Sequence, residues 1–246
     1  MEAVLERALR DASALEDAGL DGVLVENFGD VPFHGGAVPP ETVAALARVT
    51  AAVVEAVDVP VGVNVLRNDA RAALGVAVAA GARFIRVNVH TGIMWTDQGA
   101  VEGAAAETLR TRAALGHPVA ILADVLVKHA TPPSGLEVAD AARDAWHRGL
   151  ADGLLVTGAA TGRPADAARI SHVRDAVPDA PVWVASGVTV ETVRATLARA
   201  DGAIVGTDLT RARAAGSGVD PQRAKAFVEA ARASSPDAPS PPPPGG

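Results

Sequence analysis

Apolar residues along the chain switch repeatedly between two periods, one helical and one extended. Residues 2–18 place Val4, Leu5, Ala8, Leu9, Ala12 and Leu15 on one helical stripe, and Gly19 follows as a stop. DGVLVEN then reads as a short strand ending at Glu26 and Asn27. The same unit recurs. PETVAALARVTAAVVEAV opens on Pro and Glu, as helices do, and leads to the strand VPVGVNVL. NDARAALGVAVAAG leads to RFIRVNVH, AAAETLRTRAALG to VAILADVLV, and LEVADAARDAWHRG to DGLLVTG. PADAARISHVRDAV leads to PVWVASG, and TVETVRATLARA to DGAIVGT. A last helix over 220–232 precedes ASSPDAPSPPPPGG, whose Pro, Ser and Gly content predicts disorder.

Strands that alternate with helices pair in parallel through right-handed crossovers. Seven strands are legible, near positions 22, 60, 84, 119, 153, 182 and 203. A doubly wound sheet is the competing architecture, but it carries GxGxxG after its first strand, and none is present here. The polar residues gather at the C-terminal ends of the strands, as they do when every strand top faces one mouth. The expected fold is therefore α/β, a TIM (β/α)8-type barrel over residues 1–232, with 233–246 as a disordered tail. Such a barrel has eight strands in about 250 residues. The chain opens on a helix, so the absent strand is the first. Either the barrel is open between the last strand and DGVLVEN, or the coding start lies upstream.

Composition narrows the chemistry. Half of the chain is apolar (49%) and only 3% aromatic, so the core is built from Ala, Val and Leu. With no cysteine there is no disulfide, thiol nucleophile or thiolate zinc site. A formal charge of −7, without basic runs, argues against nucleic acid. The N-terminus lacks a signal peptide's apolar core, and no apolar run is long enough to span a bilayer. The expected setting is the cytoplasm.

RFIRVNVH alternates apolar Ile85, Val87 and Val89 with Arg86, Asn88 and His90, although a barrel strand is covered on both sides. Period two also groups Gly22, Leu24 and Glu26, then Gly62, Asn64 and Leu66, then Leu122, Asp124 and Leu126. If these faces point inward, their carboxylates need a partner. The fork of Arg86 supplies one, so Arg86 is expected to pair with Glu26 or Asp124, with His90 on the same inward face. A purely structural network is the alternative. Glu26 or Asp124 is the candidate general base, and Lys128 or His90 the candidate acid or charge stabiliser. Asn64, Asn88, Arg86 and Thr157, at or just below the strand tops, are candidate ligand contacts. The oxygens of Glu26, Asn64, Asn88 and Asp124 are hard enough for Mg2+, but their spacing is not diagnostic, and the expectation is no metal or cofactor.

The last two strands carry a second signal. VWVASGVTVETV sets Ser186 and Gly187 before a helix start, with Thr189 as N-cap, and DGAIVGTDL sets Gly206 and Thr207 on the final strand top. Glycines let backbone N–H groups approach an anion, and the loops after strands seven and eight often hold phosphate in these barrels. The pair resembles the phosphate grip of the tryptophan-synthase-α and phosphoribosyl-isomerase barrels. TGIMWTDQGAVEG, after the strand at 84, is long enough for a lid or for a loop packed on the rim. His117, His147 and His172 read as surface residues.

LDGVLVENFGDVPF, VPVGVNVLRNDARAAL, FIRVNVHTGIMWTDQGAVEGAAAETLR, ILADVLVKHA, LLVTGAATG and DGAIVGTDL together resemble the BtpA family, named for a photosystem I biogenesis protein. The resemblance spans nearly all of residues 15–230 and implies a TIM-type barrel with a ligand site at its mouth. Members normally begin with a segment like HLLPLPGSP, which this sequence lacks. Two expectations follow. One is an enzyme acting by general acid/base chemistry on a phosphorylated small molecule, a sugar or nucleoside phosphate, in a chain able to form homo-oligomers. The other is a non-catalytic assembly factor for a membrane complex, which needs no charged barrel interior and favours an exposed apolar patch.

Overall fold

The computed structural model describes residues 1–158, 166–214 and 216–233. The expected tail beyond 233 lies outside them. Seven parallel strands form one sheet, in the order β1 (Val23–Glu26), β2 (Val61–Asn64), β3 (Phe84–Val87), β6 (Ala120–Val125), β8 (Gly153–Thr157), β9 (Val182–Ala185) and β10 (Gly202–Ile204). These are the seven strands read from the sequence. The sheet is open: among the described residues β1 and β10 are its edges and do not pair. Helices α1 (Glu2–Asp17), α2 (Pro40–Ala56), α3 (Ala70–Ala80), α4 (Ala105–Leu115), α5 (Val138–Arg143), α6 (Ala167–Ala176), α7 (Val193–Leu197) and α8 (Pro221–Arg232) alternate with the strands. A π-helical turn, Asp144–Arg148, prolongs α5.

Local chemistry explains the repeat. Asp69 caps α3 by accepting from Ala72 N–H and also takes Val38 N–H, and Gly81 ends the helix at φ 79°. The recurrent Asp-Gly phrase pins neighbouring strands. Asp152 accepts from Ile121 N–H at 2.7 Å, and Asp201 from Val182 N–H at 2.8 Å. Each aspartate thus satisfies a backbone donor in the opening residues of the strand beside it. Asp21, ahead of the edge strand β1, makes no such bond to the described residues.

Apolar residues form two large clusters between sheet and helices, one around Val63, Leu74, Ile85 and Ile121, the other around Leu154, Val156, Val173 and Val182. A third layer fills the concave side, where Leu122, Leu155 and Ala185 pack with Phe84, Trp183 and Ile204. The Phe84 ring lies where a Cβ on Gly62 would stand, 2.1 Å from its nearest atom, so glycine makes room for it. Above this layer the same faces turn polar.

The expected loop 91–103 is a β-hairpin. Strands β4 (Ile93–Thr96) and β5 (Gly99–Glu102) pair across Asp97 and Gln98, and β4 also pairs with β7 (Ala130–Thr131). Met94 is buried under the hairpin and Trp95 remains exposed. The tip residue Gln98 touches Gly35 in the loop after β1. The hairpin is packed on the rim.

Candidate functional site

Period two holds along the concave face. Arg86 stands one step above Phe84, Asp124 above Leu122, Thr157 above Leu155 and Asn64 above Gly62. Arg86 is 6% exposed and meets both predicted carboxylates. Its Nη2 lies 3.1 Å from Asp124 Oδ2 and its Nε 3.3 Å from Asp124 Oδ1, while its Nη1 lies 3.5 Å from Glu26 Oε1. Asn88 donates to Asp124 Oδ2 at 2.6 Å, and Asn64 to Glu26 Oε1 at 2.9 Å. Burial alone would lower the Arg86 pKa, but Asp124 and Glu26 raise it on balance.

The two carboxylates differ in access. The Asp124 side chain is 0% exposed and takes three donor groups, whereas that of Glu26 is 24% exposed. Both contacts to Glu26 fall on Oε1, and Oε2 takes no hydrogen bond from the described residues. Thr157 Oγ1 and Asn88 Oδ1 are buried without a partner among the described residues. Arg86 stands between the two carboxylates, and no group of three His, Asp or Glu side chains placed to hold a metal ion occurs among the described residues.

Lys128 extends the site toward the last strands. Its Nζ donates to Ser186 Oγ at 3.1 Å. Burial, followed by the neighbouring Arg86 charge, holds its ammonium below the ordinary lysine pKa. Ser186 and Gly187 both have positive φ, 82° and 76°. The helix start expected at Thr189 falls three residues later: Thr189 N–H donates to Thr192 Oγ1, and α7 is only five residues long. Asp208, bound by Arg223 at 2.8 Å, already accepts Val190 N–H. Gly206 and Thr207 enter a 3-10 turn over Thr207–Leu209. The loop therefore presents Lys128, Ser186 and its own backbone, and no helix of more than five residues begins at it.

His90 departs from expectation. β3 ends at Val87 and the chain bends at Asn88, so the alternation lapses before His90. Its Nε2 sits 2.8 Å from the carbonyl of Gly149, after the π-helical turn, and its Nδ1 is buried without a partner among the described residues. Gly149 and Gly103 are glycines because any Cβ would strike this segment, within 2.9 Å of the His90 ring and 2.6 Å of its backbone. The charges that act on it are those of Arg112 and Asp152, not those of Glu26 and Asp124. Burial lowers the His90 pKa, so unfolding takes up a proton as pH falls. Stability is then complete above the unfolded value of about 6.5 and declines below it as the folded pKa is passed. His90→Gln is expected to flatten that acid decline, read as urea midpoints from pH 7.5 down to 5; an unchanged slope would remove His90 from the account.

Asn27 and Asn68, at the strand tops, are pins. Asn27 brackets the backbone of Leu66, and Asn68 that of Val89. Two arginines complete the mouth. Arg67, 6% exposed, donates from Nη2 to the Lys128 carbonyl at 2.7 Å. Arg169, on the first turn of α6, donates to the carbonyls of Val125 at 2.9 Å and Leu126 at 2.7 Å. Sequence reading missed Arg169, because a helix arginine's reach to the end of β6 is tertiary. His117, His147 and His172 are exposed, as expected. Cavities lie beside the site and away from it. One of about 130 Å3 adjoins Asn88 and Asp124. Another of about 710 Å3 lies between α1 and the 211–219 loop, beyond the charged cluster.

Comparison with known proteins agrees with this architecture. The chain is similar to the Photosystem I biogenesis protein BtpA of Synechocystis, 45% identical over 94% of this chain and 80% of that protein. A protein of Thermococcus kodakarensis is 46% identical over 94% and 87%. Among solved structures, a native KDPGal structure superposes with a TM-score of 0.61 at 20% identity, covering 93% of this chain and 90% of that one. N-(5'-phosphoribosyl)anthranilate isomerase from Pyrococcus furiosus gives 0.61 at 17%, over 92% and 95%. At such identities these two likenesses concern the fold, a TIM-type barrel. No helix among the described residues is long and apolar enough to cross a membrane. The BtpA family model matches residues 1–233, and the chain belongs to the BtpA family.

Proposed function

We propose that the chain binds a phosphorylated small molecule, a sugar or nucleoside phosphate, at the C-terminal mouth of the sheet and acts on it by general acid/base chemistry. The observation that carries this reading is Lys128: one amine touches Ser186 of the positive-φ loop and stands in the field of Glu26, Asp124 and Arg86. A phosphate on Lys128, Ser186 and Gly187, with Gly206 and Thr207 beside it, places the rest of the ligand over Glu26. Glu26 is the base, because Oε2 takes no hydrogen bond from the described residues. Lys128 is the acid or charge stabiliser. Asp124, Asn64 and Asn88 hold Arg86 and Glu26 in place, and Thr157 Oγ1 offers a hydrogen bond from below.

A thermal-shift screen of phosphate esters tests the reading. A ligand at a hundred times its Kd is expected to stabilise by about 2.7 kcal/mol. If neither inorganic phosphate nor any ester raises the melting temperature, the proposal fails. A second reading, an assembly factor for a membrane complex, draws on the printed name of the Synechocystis relative and on exposed Phe28, Val31 and Trp95. It would be favoured if replacing those three side chains with Ser impaired the complex in cells while Glu26→Gln did not.

A further inference from the structure

The charges at the mouth do not balance. Among the described residues, Arg67, Arg86, Lys128 and Arg169 stand in the field of Glu26, Asp124 and, for Arg67, Asp97 at the hairpin tip, an excess of one positive charge. Arg86 takes both carboxylates. The other three cations rest on neutral oxygens: Arg67 on a carbonyl, Arg169 on two carbonyls, and Lys128 on a hydroxyl. None of the three has an ion pair with a carboxylate of the described residues. Arg67 is more than nine-tenths buried, and Nη2 is its one hydrogen-bonding nitrogen among the described residues. Arg169 Nε is buried and has no hydrogen-bond partner among the described residues. A buried charge without a counter-charge is costly and persists where something else compensates it. One phosphate on Lys128 offsets that excess in charge, but it gives neither Arg67 nor Arg169 an ionic partner in place of their carbonyls.

We propose that the ligand carries two anionic groups, a phosphate on Lys128 and Ser186 and a carboxylate or second phosphate on Arg67, with Arg169 adding to the positive field. This rests on the phosphate reading above and specifies the class of compound. Arg67 and Lys128 are joined through the Lys128 carbonyl, so the two seats are close and the compound is small. Asp97 at the hairpin tip and His129 lie in the field of Arg67, which places that seat beneath the hairpin side of the rim.

Binding is compared, by calorimetric titration of the full chain, for inorganic phosphate, glycerol 3-phosphate, 3-phosphoglycerate and fructose 1,6-bisphosphate. The third adds a carboxylate to the second, and the fourth adds a second phosphate. A charge-assisted hydrogen bond makes the expected gain at least about tenfold in Kd for one of the two-anion compounds over glycerol 3-phosphate. Arg67→Gln, which keeps a donor for the Lys128 carbonyl, is expected to abolish that gain of the two-anion compound over glycerol 3-phosphate, while Arg67→Lys retains part of it. Equal affinity for the one-anion and two-anion compounds overturns the inference and leaves the phosphate reading standing. Binding of none of the four overturns both. A gain that survives in Arg67→Gln overturns the seat assigned to Arg67. If Arg67→Gln does not fold, the comparison of Arg67→Lys with the natural chain decides: an undiminished gain speaks against the planar guanidinium as the seat.

Discussion

Replacing Arg86 with methionine is expected to lower the free energy of unfolding by about 3–5 kcal/mol, the cost of breaking a buried ion pair from one side. The side chain is held from two strands, by Asp124 on β6 and by Glu26 on β1. Without it, among the described residues, a fully buried carboxylate keeps only Asn88 as a hydrogen-bond partner, and Glu26 keeps only Asn64. Two negative groups then share the concave face with nothing between them. The urea midpoint should fall with little change in its slope, since the sheet and its helices remain. Arg86→Met combined with Asp124→Leu should recover much of the loss, because a pair replaced by apolar groups of similar volume is often neutral. A loss below about 1 kcal/mol for Arg86→Met alone would show that water already solvates the cluster.

That network was legible in the sequence for a simple reason. Side chains two apart on a strand share a face, so Arg86, Glu26 and Asp124 could be assigned to one interior from short segments. The seven strands followed from the same rule. The reading failed where the period ended. His90 lies three residues beyond the last strand residue of β3, and once the chain bends its side chain answers to the Gly149 carbonyl instead. Leu126 leaves its face in the same way, at φ 52° just after β6. Thr189 is preceded by the glycine turn expected of it, but the helix waits for Val193 because Thr192 turns back to Thr189. The hairpin had a signal in TDQG, whose Gly99 sits at φ 90°, inside what reads as a long loop. Arg169 had none, since nothing local distinguishes it from other helix arginines.

The two carboxylates should separate in function. With a turned-over phosphate ester in hand, Glu26→Gln is expected to lower kcat by about 10²–10⁴-fold, the range of a lost general base, with ligand binding little changed. Glutamine keeps the Asn64 and Arg86 contacts at one oxygen and removes the proton acceptor at the other. Asp124→Asn should behave differently. The Asp124 carboxylate is enclosed by the Arg86 fork and Asn88, so no substrate proton reaches it, and its loss strikes the fold first. Stability should therefore drop for Asp124→Asn and hold for Glu26→Gln, while turnover at a temperature where both are folded drops more for Glu26→Gln. The reverse ordering would move the base to Asp124. Lys128 supplies the other limb of the pH profile. Burial and Arg86 lower its pKa, so if it acts as the acid, the alkaline fall in rate begins below the ordinary lysine value of 10.5. Lys128→Met should erase that limb together with phosphate binding, because the same amine holds Ser186 and faces Glu26.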